Sequence, residues 1–138
     1  MRQESLFRKS QREAEQHKYL ESQKAGRDLG ASAIEDWQRR HWTLWLRHHW
    51  VEHLLGKACW EEFGPAYFGR LRTLFASHQR LLNEVVTKVR RGAENIDVLC
   101  WAATEGRDMG TVVRMLVELR LNEIRCTRFC FTFAKHRR

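Results

Sequence analysis

Four of the chain's six tryptophans and four of its seven histidines fall between Ile34 and Leu55, in the stretch IEDWQRRHWTLWLRHHWVEHLL. On a helical period, Trp37, Leu44, His48, Val51 and Leu55 share one face, with Ile34, His41 and Trp45 beside it. Trp42, Leu46 and Trp50 point roughly the other way, which leaves a strip through Asp36, Arg40 and Arg47 for water. A helix that is apolar around most of its circumference needs neighbours on several sides. The stretch therefore predicts a central Trp-rich helix around which the rest of the chain wraps.

The length of 138 residues suits one domain with its own core. With 43% hydrophobic and 30% charged residues the composition is that of an ordered soluble protein, and a single proline favours helices. The net charge of +8 calls for an anionic partner: nucleic acid, an acidic protein or an anionic surface. Cys59, Cys100, Cys126 and Cys130 form no regular disulfide framework, and no apolar segment follows the opening Met-Arg-Gln-Glu. No run approaches the roughly 20 apolar residues of a membrane span. Together these features are expected of a reduced, cytoplasmic protein with buried thiols and no membrane span.

Residues 3 to 24 repeat Leu6, Ser10, Ala14, His17 and Leu20 at helical spacing among many charges, so 1–25 is expected to be a peripheral N-terminal helix with a start prone to fraying. Gly26 is suited to end it. Ser32-Ala33-Ile34-Glu35 fits a capping box, which starts the tryptophan helix near Ala33. Gly64-Pro65 is the firm stop, with Pro65 in the first turn of the next helix. That helix is expected to run to Arg91 on a heptad seam of Phe68, Leu71, Phe75, His78, Leu82, Val85 and Val89. His78 is the polar residue in the seam and reads as a register-setting position.

Asn95 is the expected N-cap of a short helix from Ile96 to Thr104. A last long helix should start near Met109 or Thr111 and present Met109, Val112, Leu116, Leu119, Cys126 and Cys130. The Gly-Arg-Asp turn at 26–30 recurs at 106–110, as though one turn were used twice. Residues 129 to 133 alternate phenylalanine with Cys130 and Thr132, a strand period as much as a helical one, and continued helix is expected there. The chain thus predicts an all-α, single-domain bundle of four to five helices over 33–128, mainly 33–63, 65–91 and 109–128, with a basic C-terminal tail at 129–138.

His49-Trp50-Val51-Glu52-His53 reads H-x-x-E-H and resembles the zinc motif of the inverzincin peptidases over these five residues. The resemblance implies zinc on His49 and His53 with Glu52 activating water. It also implies a third ligand and a large α/β chamber, which a short helical chain does not supply. A broader reading completes a His49, Glu52 and His53 site with carboxylates such as Glu13, Glu21 or Glu105 from facing helices, and it is weighed against histidines hydrogen-bonded at a wet edge. Cys126 and Cys130 share a helical face and read as core thiols. No nucleophile, base and orienting group can be assembled, so no catalytic residue and no cofactor is assigned.

The cations are organised. Arg107, Arg114, Arg125 and Arg128 fall near one line on the last predicted helix, and Arg70, Arg80, Lys88 and Arg91 line the one before it. Stripes of this kind meet phosphates at intervals. A helix-turn-helix can be drawn over 98 to 117, with Arg107, Thr111 and Arg114 placed to read bases, although Glu105 and Arg107 then take positions that are usually apolar. The function expected from the residues is a non-enzymatic basic module that binds nucleic acid through backbone charge within a larger assembly. The alternatives are an adaptor subunit with a protein partner or a homo-oligomer, and a small metal-binding bundle.

Overall fold

The computed structural model describes residues 2–125. Helix α1 (Leu6–Ala25) lies along α2 (Ala31–Leu54), and an irregular stretch with two 3-10 turns leads to α3 (Arg70–Leu74). Then come α4 (Gln79–Arg90), α5 (Asn95–Thr104), α6 (Met109–Leu119) and α7 (Leu121–Arg125). The fold is all-α and single-domain, as expected. The helix count exceeds four or five because two expected long helices are broken. Among the described residues, the strand content is one parallel two-residue pairing of Gln3–Glu4 with Cys59–Trp60.

Helix α2 is the hub. Trp37, Trp42, Leu46, Trp50, Val51, Leu54 and Leu55 are all buried, so both flanks are covered at once. Trp42 and Trp45 stack at 5.5 Å, and Trp37 meets both rings edge-on. The Trp50 indole donates to the Leu119 carbonyl at 2.6 Å, which ties α2 to the end of α6. The wet strip is rotated from its expected place. Its exposed line runs through Arg40, Leu44 (49% exposed) and His48, whereas Arg47 is 1% exposed. The reason lies at the end of α4, where the Val89 carbonyl and, in the turn that follows the helix, the Ala93 carbonyl accept from the Arg47 guanidinium at 3.5 and 3.1 Å. A cation is favoured at that end of a helix.

The expected helix over 65–91 is interrupted by a 3-10 turn at Ala76–His78. Its seam still faces inward, with Leu71, Phe75, Leu82, Val85 and Val89 buried. The last helix breaks at Arg120, whose φ of 50° is left-handed and whose guanidinium donates to the Tyr67 hydroxyl at 3.0 Å. The expected capping box at Ser32 is absent: α2 begins at Ala31 behind Gly30, and the Ser32 hydroxyl turns back to the Leu29 carbonyl. A capping box forms instead at Glu94 and Asp97, one residue before the expected cap Asn95. The start of α1 is held rather than frayed, because the Glu62 carboxylate accepts the Leu6 and Phe7 amides at 2.7 and 3.0 Å. Arg128, Cys126, Cys130 and the 129–133 alternation lie outside the described residues.

Candidate nucleic-acid interface and the histidine cluster

The breaks in the two expected long helices decide where the cations go. Arg80 and Lys88 on α4 and Arg91 at its C-cap line a groove of about 400 Å³ together with Asn83, Glu84, Thr87 and Trp101 from α5. Lys88 Nζ sits 4.6 Å from the Trp101 ring centre and the Arg107 guanidinium 5.3 Å from it. Such contacts fix a flexible cation at low entropic cost. Arg107 also grips Glu84 through two bonds of 3.2 and 2.8 Å. That hydrogen bond holds the Glu84 carboxyl below the usual range and the Arg107 guanidinium above its own. The acidic group in the groove wall is thereby matched, and the lining keeps a positive excess.

The other cations picked from the sequence are placed elsewhere. Arg70 is bound by Glu118 at 2.7 Å, and that hydrogen bond raises its pKa. Arg125 pairs with Glu94. Arg114 donates to Thr111 at 3.3 Å and lies 5.8 Å from the Phe75 ring. Neither stripe is straight: the turn at 76–78 sets Arg70 apart from the α4 cations, and the break at Arg120 sets Arg125 apart from Arg107 and Arg114. Thr111, one of the helix-turn-helix reading positions, is buried.

The two histidines of the H-x-x-E-H motif part company. His53 is fully buried, and both of its nitrogens serve the backbone: the Trp60 amide donates to Nδ1 at 3.0 Å, which leaves Nε2–H to donate to the Gly64 carbonyl at 2.7 Å. Burial pushes its pKa down, so a neutral ring staples the irregular stretch onto α2. Its backbone carbonyl holds that stretch as well, accepting the Gly56 and Gly69 amides at 3.1 and 2.9 Å. Glycine suits position 56 because its φ is 75°; the nearest atoms a Cβ would meet belong to the Arg72 guanidinium, the movable end of a flexible side chain.

His49 instead pairs with Glu52 at 2.5 Å, and His48 joins them with Nε2 3.7 Å from the same carboxylate. Burial alone would raise the Glu52 carboxyl. The His49 hydrogen bond and the charges of His49 and His48 outweigh it and hold the group below its usual range. Burial likewise lowers the His48 pKa, against the pull of Glu52. Glu13, one of the facing carboxylates proposed from the sequence, is committed to the Trp45 indole N–H at 2.6 Å. His48 was missed as a partner although its i, i+4 spacing to Glu52 was visible; the meeting of Trp101 with Lys88 and Arg107 across three elements had no local signal.

Comparison of the chain with protein-family models, with curated proteins and with solved structures finds no match.

Proposed function

We propose that the protein binds nucleic acid through the phosphate backbone at the α4–α5 groove, as a non-enzymatic module. The observation that carries this reading is the convergence of Arg80, Lys88 and Arg91 on one groove whose wall, Trp101, fixes the Lys88 ammonium. Phosphate oxygens need cations held at set positions along a surface, and binding is then driven by counterion release with little sequence preference. Asn83 and Thr87 add polar groups beside the cations.

The test is a titration of labelled single-stranded RNA and duplex DNA at several salt concentrations. Three phosphate contacts give a log–log salt slope of about −2 to −3. The variant carrying Arg80→Gln, Lys88→Gln and Arg91→Gln should bind at least about tenfold more weakly at low salt with its melting curve unchanged. Absence of binding by the unaltered protein at low salt removes the reading.

A protein partner is the second reading. It is favoured by Leu74, Val113 and Val117, exposed apolar side chains around a groove of about 220 Å³ between α3 and α6. Light scattering that finds a monomer, with no protein retained on purification, counts against it.

A further inference from the structure

We propose that His48, His49 and Glu52 bind a divalent first-row metal ion of the zinc class on the flank of α2. This site is distinct from the basic groove and does not depend on it. One potential ligand atom from each of the three residues falls within 4.8 Å of the other two. His48 and Glu52 are four apart on the helix and so face the same way. The nitrogens turned to the carboxylate are Nε2 of His48 at 3.7 Å and Nδ1 of His49 at 2.5 Å. Two imidazole nitrogens and one carboxylate oxygen are a donor set suited to zinc, with a remaining position for water.

The surroundings support the assignment. His49 is buried, and its ring is held edge-on by Trp45 at 4.6 Å and Trp60 at 5.0 Å, so one ligand is fixed in orientation before any ion arrives. His48 is half exposed and gives the ion a route in. Coordination at Nδ1 of His49 moves the proton there to Nε2 of the same ring, so no other reactant is needed. His53, the second histidine of the sequence motif, is excluded as a ligand because both of its nitrogens are engaged by backbone.

The experiment is calorimetric titration of tag-free full-length protein with zinc chloride, followed by metal analysis after gel filtration. One zinc per chain is expected, with a thermal melt that rises as zinc is added. His48→Ala changes an exposed side chain and should leave the metal-free melt unaltered while weakening zinc at least about tenfold. His78→Ala should bind as the unaltered protein does. Cobalt in place of zinc should give the visible absorption of a low-symmetry nitrogen and oxygen site, and that absorption should be lost in His48→Ala. No stoichiometric zinc at micromolar concentrations, or equal zinc affinity in His48→Ala, overturns the assignment. The groove variant of Arg80, Lys88 and Arg91 should retain zinc in full, so loss of nucleic-acid binding and loss of zinc are read separately.

Discussion

Arg47 on α2 and the cations at the α4 groove sit on neighbouring helices and have opposite surroundings. Arg47 is enclosed and reaches Glu94 at 2.6 Å as well as the Val89 carbonyl of α4 and the Ala93 carbonyl in the turn after it. Arg80, Lys88 and Arg91 line an open groove. The difference teaches that a basic chain does not have one kind of cation. Where a guanidinium closes a helix end and a carboxylate meets it, the charge is part of the core. Where the charges collect beside an aromatic wall, they line an open face.

The largest effect should come from the buried member of the comparison. Glu94→Gln keeps an acceptor at the start of α5 but leaves Arg47 without its counter-charge. Removing one partner of a buried pair costs about 3 kcal/mol, taken at the low end because Glu94 is partly exposed. Denaturant unfolding measures it. Adding Arg47→Met should recover most of the loss, since the stranded charge goes with it. If Glu94→Gln unfolds at the same denaturant concentration as the unaltered protein, Arg47 belongs with the surface cations and the contrast fails.

The histidines of α2 repeat the contrast at smaller scale. His53→Gln removes a ring that satisfies two buried backbone groups and should destabilise by about 2 kcal/mol at neutral pH. The pH dependence has a definite sign. The folded pKa of His53 is depressed, so between the ordinary imidazole value of about 6.5 and that lower value the unfolded chain takes a proton the folded one refuses. Stability is therefore full above about pH 6.5 and falls as the pH drops through the folded value. The variant should show a shallower decline over that range. The decline left over includes His48, whose pKa is depressed in the same direction. An unchanged pH profile in His53→Gln would mean the ring is not the acid-sensitive staple.

Much of this was legible in the residues, and the failures share a cause. The burial of Trp37, Trp42, Leu46 and Trp50 follows from periodicity, because a helix with aromatics on opposing sides has few other options. The seam from Leu71 to Val89 kept its inward face even though the helix broke, since burial and not helical continuity fixes which side faces in. Arg47 was misplaced because its partners are two backbone carbonyls and a carboxylate more than forty positions away, and charge alone ordinarily places arginine outside. The same distance hid the groove: Lys88 and Trp101 are thirteen residues apart on different helices, and only the turn at 92–94 brings them together. Of the three clustered side chains, the motif contains His49 and Glu52, whereas its other histidine, His53, has the right spacing but gives both nitrogens to tertiary contacts.

The smallest expected effect is the most informative about the groove. Arg70 belongs to the same predicted stripe as Arg80, Lys88 and Arg91, but the turn at 76–78 carries it to α6, where Glu118 holds it through two bonds of 2.7 and 3.4 Å. An exposed pair of this kind contributes little to stability. Its charge is also cancelled locally, so it releases few counterions when a phosphate arrives. Arg70→Gln should therefore leave the melt and the salt slope of nucleic-acid binding unchanged, whereas Arg91→Gln should make that slope shallower by about 1. If Arg70→Gln lowers the slope as much as Arg91→Gln, phosphates follow the whole length from 70 to 91, and the groove beside Trp101 is not where they bind.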